Sequence, residues 1–219
     1  MKTAVITFPG SNCDKDIGDA LFEHYNHSVS YIWHKDTFGK EFDLVVLPGG
    51  FSYGDYLRCG AMARFANSMN SVIEHSKSGR LILGICNGFQ ILTECSLLPG
   101  ALTRNKSLKH ICKTVSLVKG GKNNPLTKKI QENEILQIPI SHGEGAYFAD
   151  ENTLKKLEDQ DRILLKYAIE NPNGSLNNIA GITSENFKIA GLMPHPERAL
   201  DDINQSTDGK KFFDSFFGL

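Results

Sequence analysis

The sequence is short of most features that would assign it to a membrane, a nucleic acid or an oxidising compartment. No apolar run approaches the roughly 18 residues that a membrane-spanning helix needs. No stripe of basic residues stands out, and the formal net charge of the 219 residues is -1. A nucleic-acid or membrane-surface binder would show a basic face. The five cysteines, Cys13, Cys59, Cys86, Cys95 and Cys112, are odd in number and contain no CxxC pair. That spacing argues against a disulfide framework and against a zinc site, and no other metal or cofactor site is expected. A reducing cytoplasm suits such a chain, because a free reactive thiol survives there. There is no G-x-x-x-x-G-K-[ST] loop and no G-x-G-x-x-G after a strand, so nothing in the chain offers a phosphate cradle for ATP or another nucleotide. Met1 to Val5 run straight into a strand-like segment, so no signal peptide is expected. No linker, repeat or low-complexity tract interrupts the chain, and residues 1–219 are read as one domain.

What is present is an alternation of short apolar runs and helical stretches. Thr3–Phe8, Val29–Trp33, Asp43–Leu47 and Arg80–Ile85 read as strands. Helices are expected from Asp14 or Asp16 to about Tyr25, over Ala61–Lys77 and over Asn87–Leu97. Continuous apolar strands alternating with helices imply an α/β fold, a mostly parallel sheet covered on both faces. The second half changes character. Val115–Val118, Ile135–Ile140, Ile163–Tyr167, Ile179–Thr183 and Ile189–Met193 read as strands joined by turns, which adds antiparallel strands. Asp208–Phe216 reads as a short docking helix.

The sharpest local signal is Gly84-Ile85-Cys86-Asn87-Gly88, between an apolar strand and a helix. This is the nucleophile-elbow pattern with cysteine in place of serine. Glycine two residues to either side removes the Cβ atoms that would clash in so tight a turn. The thiol then sits at a helix N-terminus, where the dipole and free N–H groups favour its reactive form. A structural cysteine beside a tight turn is the plainer alternative. Cys95 and Cys112 fall in apolar runs and read as small hydrophobes; Cys13 and Cys59 lie near loops and carry no functional argument.

A cysteine nucleophile needs a base held by a third group. His195 stands in Met193-Pro194-His195-Pro196-Glu197-Arg198, where two prolines force an extended backbone. Residues i and i+2 of an extended chain point to one side, so Glu197 can reach the His195 ring. His142, in Ser141-His142-Gly143-Glu144-Gly145, competes for the role, but its glycines suit a substrate wall better. His24, His27, His34 and His75 read as solvated, and His110 as a histidine without a partner. Acyl transfer also needs donors for an oxyanion. The Asn87 N–H is one candidate, and the loop Gly49-Gly50-Phe51-Ser52 after a strand offers a second.

At this point Cys86-Asn87-Gly88-Phe89-Gln90, together with His195-Pro196-Glu197, resembles the class I (triad) glutamine amidotransferases, whose fold is flavodoxin-like. Phe8 to Asp14, Gly49 to Arg58, Leu97 to Leu102, His142 to Gly145 and Glu170 to Ser175 are similar to one branch of that family, the glutaminase subunits of phosphoribosylformylglycinamidine synthase. The resemblance covers nearly the whole chain; Ser141, where alanine is expected, is a mild departure. It implies that Cys86 attacks the glutamine amide, that His195 carries the proton to ammonia and that Glu197 orients His195. It implies that Gly49 to Ser52 with Asn87 form the oxyanion hole, and that Gln90 with Ser141, His142 and Gly143 line the glutamine pocket. It also implies partners: a large synthetase subunit that uses ATP and Mg, and a small accessory subunit. Three other readings are less well matched: a glutaminase serving another synthetase, a DJ-1-type cysteine hydrolase or chaperone, and a silent subunit. The DJ-1 type has histidine after its nucleophile, where this chain has Asn87.

Overall fold

The computed structural model describes residues 1–201 and 206–218. The first half supplies β1 (Lys2–Thr7), α1 (Asp14–Tyr25), β2 (Ser28–Trp33), β3 (Leu44–Leu47), α2 (Asn67–Lys77), β4 (Leu81–Ile85) and α3 (Asn87–Glu94). The second supplies β5 (Ala101–Thr103), β6 (Ile111–Lys119), β7 (Leu136–His142), β8 (Ala146–Phe148), α4 (Glu151–Asp159), β9 (Ile163–Tyr167), β10 (Ile179–Thr183), β11 (Ile189–Leu192) and α5 (Asp208–Phe217). Nine strands form one sheet in the order β2-β1-β3-β4-β11-β10-β9-β6-β7, and β5 pairs with β8 apart from it.

The sheet is parallel from β2 through β11 and antiparallel from β10 to β7. The sequence explains the division. Every residue of β3 (Leu-Val-Val-Leu) and β11 (Ile-Ala-Gly-Leu) is buried, as a strand covered on both faces requires. β7 instead alternates buried and half-buried residues, the pattern of a strand with one wet face. Register then decides where the chemistry emerges. Leu47 pairs with Gly84, and Ile85 pairs with Leu192. The residues after β3, β4 and β11 therefore leave the sheet side by side at its carboxyl edge, where open α/β sheets place their ligands.

Three expectations need correction. The helix read over Ala61–Lys77 is split: Ala63–Phe65 form one 3₁₀ turn, Ala66 is extended (ψ 145°), and α2 begins at Asn67. Tertiary contacts set that start, because Ser68 N–H donates to the His34 carbonyl and the Asn67 amide to that of Lys35. The helix after Cys86 stops at Glu94 rather than Leu97. Ser96 turns left-handed (φ 55°), and the N–H groups of Leu97 and Leu98 both fold back on the Leu92 carbonyl. Helix α4 was not expected. Its mark is the Asp150 cap, which accepts from Thr153 N–H at 2.9 Å.

Helix α5 braces the carboxyl edge. Asp208 accepts from Gln137 N–H of β7, and Gly209 N–H donates to Ala199, just beyond the turn that carries His195. Phe212, Phe213 and Phe216 are buried, and Tyr25 of α1 packs on Phe213 with ring centroids 5.6 Å apart. Truncating such a ring removes apolar contact and leaves a cavity. Phe212→Ala is expected to cost about 3–5 kcal/mol of folding free energy, read as a lower midpoint in urea with an unchanged slope.

Candidate active site

Cys86 occupies a backbone conformation that non-glycine residues rarely adopt, φ 50° and ψ -105°, as the cap of α3. The turn is tight enough to explain its glycines. A Cβ on Gly88 would lie 1.9 Å from the Leu47 carbonyl oxygen, and one on Gly84 2.7 Å from the Gly88 backbone. Cys86 N–H donates to the Leu192 carbonyl at 2.8 Å, which ties the elbow to β11, the strand that delivers the histidine. The thiol faces the Ser141 carbonyl at 3.6 Å.

His195 and Glu197 flank Pro196 as the sequence suggested. Nδ1 of His195 meets Oε1 of Glu197 at 2.6 Å, and both side chains are buried. His195 N–H donates to the Pro139 carbonyl of β7, so the antiparallel half of the sheet holds the turn in place. Nε2, the nitrogen left over, has no hydrogen-bond partner among the described residues. Burial opposes a charge on the ring. The carboxylate of Glu197 and the sulfur of Cys86 outweigh it and raise the pKa of His195 above its ordinary value. The arrangement favours an imidazolium beside the sulfur, a proton donor in place before any substrate arrives.

Cys86, His195, Gly50, Phe51 and Ser141 line one small cavity, joined by Asn12, Cys13 and Arg198. Phe51 N–H is taken by the Gly10 carbonyl and Ser52 N–H by the Asn87 side chain. Those bonds leave Gly50 as the donor of that loop facing the cavity. Asn87 N–H, the first of its helix, has no intrahelical acceptor. Candidates for nucleophile, base, orienter and two oxyanion donors therefore converge, which is a constellation for acyl transfer.

Residues 1–214 match the model of the CobB/CobQ-like glutamine amidotransferase domain. The chain belongs to this glutamine amidotransferase family. Its relatives include the phosphoribosylformylglycinamidine synthase subunit PurQ of Leptospira interrogans serogroup Icterohaemorrhagiae serovar copenhageni, 60% identical with both chains covered completely. The subunit of the same name from Trichormus variabilis is 51% identical over 97% of this chain and 95% of the relative. A chain in the solved structure of PurLQS from Thermotoga maritima is 42% identical, covers 99% of this chain and 97% of its own, and superposes with a TM-score of 0.88.

In this amidotransferase several expected pocket residues serve the frame of the site. The Asn87 amide donates to Gln90 Oε1 at 2.9 Å, and the Gln90 amide donates to the Glu144 carbonyl at 2.5 Å. Together with the Ser52 bond they tie the glycine loop, α3 and the 141–145 segment into one unit. His142 is buried at the end of β7, and Gly145 approaches its ring so closely that a Cβ there would lie 2.3 Å from it. Its Nδ1 lies 3.0 Å from Asn105 Oδ1, which can only accept, so that nitrogen carries the proton. Burial, then the charges of His195 and His110, pull the pKa of His142 down to about 4. A neutral, buried ring of this kind holds the segment, and His195 stays the candidate base. Gly143 beside it is half-buried, with His110 Nδ1 4.0 Å from where a Cβ would stand.

Other histidine and cysteine expectations change. His27, His34 and His75 are buried, not solvated, and each has a hydrogen-bond partner: Thr3, Tyr53 and the Leu81 carbonyl. His110 has one too, Ser141 Oγ at 3.0 Å. Cys112 is exposed because its strand turns that face to water, whereas Cys95 does pack against the core.

The cavity residues that the sequence did not reveal are Asn12, Cys13 and Arg198. They follow β1 and β11 at the carboxyl edge, and that position is the signal that could have found them. Arg198 donates to Asp16 at 2.6 and 2.9 Å and to Cys13 Sγ at 3.2 Å, which pins the base turn to α1. Burial pushes the Cys13 thiol up to about 12, against the pull of Arg198, so it stays a neutral wall and does not compete as a nucleophile.

Two outcomes follow from this geometry. Glu197→Gln removes the charge that holds the proton on His195. The titration midpoint of His195 is expected to fall, read by NMR of histidine-labelled protein. A midpoint left where Glu197 put it would contradict the orienting role. A Cβ on Gly49 would lie 2.7 Å from His195 Cε1. Gly49→Ala is therefore expected to cut glutaminase turnover by about tenfold or more, with a far smaller change in thermal midpoint.

Proposed function

We propose that this chain is the glutaminase subunit of a phosphoribosylformylglycinamidine synthase. The observation that carries the reading is the meeting of Cys86 and His195 in one cavity, with Glu197 2.6 Å behind the histidine, in a chain 60% identical to a PurQ subunit over its full length. Cys86 Sγ attacks the side-chain amide carbon of glutamine. The N–H groups of Gly50 and Asn87 hold the oxyanion, and His195 gives its proton to the departing ammonia. A thioester on Cys86 remains. Water attacks it with His195 as base, and glutamate leaves.

Ammonia set free in water is protonated and lost as a nucleophile. The product therefore passes directly to a synthetase subunit that uses ATP and Mg to convert formylglycinamide ribonucleotide to its amidine in purine biosynthesis. A small accessory subunit completes the complex, which works in the cytoplasm. Two features favour a site finished by a partner. The cavity holds about 50 Å³, room for a water or two rather than an amino acid. The segment that runs on from Phe51 also leaves Tyr56, Leu57 and Phe65 more than two-thirds exposed, an apolar surface typical of an interface. Among the described residues no helix is long and apolar enough to cross a membrane.

The test is synthesis of the amidine by the reconstituted complex, with glutamine and with ammonium chloride as alternative nitrogen donors. Cys86→Ala is expected to lower the glutamine-dependent rate at least about a thousandfold and to leave the ammonia-dependent rate near wild type. Loss of both rates would contradict the division of labour. Retention of the glutamine rate would remove Cys86 from the reaction.

A further inference from the structure

A cavity of about 650 Å³ lies away from Cys86. It opens where β9 and β11 begin and where α3 ends, with Arg162, Ile189 and Thr93 on its walls. Cys86 caps the other end of α3, and His195 follows the other end of β11. The eight-residue helix alone separates the two places by about 12 Å.

Its floor is apolar: Leu97, Leu98, Leu157 and Ile189. One wall is cationic. Arg162 is only 6% exposed, yet its guanidinium is not fully engaged. Nε–H donates to the Thr183 carbonyl at 3.1 Å, and Nη1 reaches Gln160 at 3.3 Å and Glu185 at 3.5 Å. Among the described residues no acceptor within hydrogen-bond distance faces Nη2, and that nitrogen is not sealed from solvent. The group is thus fixed on one side and has donors to spare on the other, at the edge of a cavity. Glu185, 81% exposed at the side chain, is a loose counter-ion that an incoming anion can displace. Burial lowers the pKa of Arg162 from its ordinary value, but a guanidinium is not deprotonated in proteins, so the charge stays.

Two neighbours add donors. Lys156 is exposed and lines the same space from α4. The side-chain oxygen of Asn186 accepts from Ser184 Oγ and Lys188 N–H, and its amide nitrogen, on a residue that lines the cavity, donates to no described residue. A guanidinium side, an ammonium and an amide above an apolar floor make a receptor for an anion on an apolar body.

We propose that this cavity is a second binding site, for a small organic anion that carries a phosphate or carboxylate on an apolar or aromatic body. The site is separate from the glutaminase centre and stands whether or not the proposed function holds.

The test is amide NMR of the full-length chain titrated with phenyl phosphate, with benzoate and with neutral benzamide. The expected result is saturable shifts at Leu97, Leu98 and Ile189 with one or both anions, with a Kd on the order of 1–10 mM, and none with benzamide. Whichever anion binds more tightly names the head group. Arg162→Met is expected to weaken binding about tenfold and Lys156→Glu several-fold. If Arg162→Met fails to fold, Lys156→Glu, on an exposed face, decides alone. Absence of saturable shifts with both anions, equal binding of benzamide, or unchanged binding by folded Lys156→Glu would overturn the proposal.

Discussion

The left-handed backbone at Cys86 is a cost that the surrounding sheet must hold in place, of order 1–3 kcal/mol for a non-glycine residue. Three sets of contacts hold it. Leu192 of β11 accepts the Cys86 N–H, Gly88 fits against the end of β3 where no side chain could, and the Cys86 carbonyl accepts from Phe89 and Gln90 as α3 starts. The strain lifts the thiol out of the sheet edge toward His195 and leaves the Asn87 N–H beside it. Relaxing the turn would cost the site its candidate nucleophile, its helix terminus and one candidate oxyanion donor together.

The proposed base depends on the same sheet from its other half. β11 is the last parallel strand, and its antiparallel neighbours carry β7 around to where Pro139 receives the His195 N–H. The buried Glu197 then decides the electrostatics. Burial alone would make His195 neutral. A carboxylate 2.6 Å away and a sulfur on the other side make it cationic, which suits a group that must first give a proton away. His142 shows the contrast: equally buried and facing an amide in place of a carboxylate, it is neutral.

Much of this was legible in the residues. The elbow glycines, the Pro-flanked histidine and the Glu at i+2 are local signals, and local geometry fixed them. The apolar runs of β3, β4 and β11 marked the parallel core for the same reason. What was not legible depends on contacts distant in sequence. The break before Asn67 is set by carbonyls of His34 and Lys35. The burial of His27, His34 and His75 is set by partners up to 24 residues away. Cys13 and Arg198 meet across 185 residues, and no periodicity announces such a pair. Asn87 and Gln90 read as substrate contacts in the family pattern, while their side chains here bond the loops of the frame.

The central claim is that Cys86 is a nucleophile shaped for glutamine. The most direct measurement is labelling by a glutamine-like diazo-ketone, followed by intact mass and peptide mapping on the chain alone and on the complex with its synthetase. The account predicts a single adduct on Cys86, suppressed by excess glutamine and missing in Cys86→Ala, with Cys13 unmodified. An adduct on Cys13 or another cysteine in the assembled complex, or no adduct there at all, would contradict it.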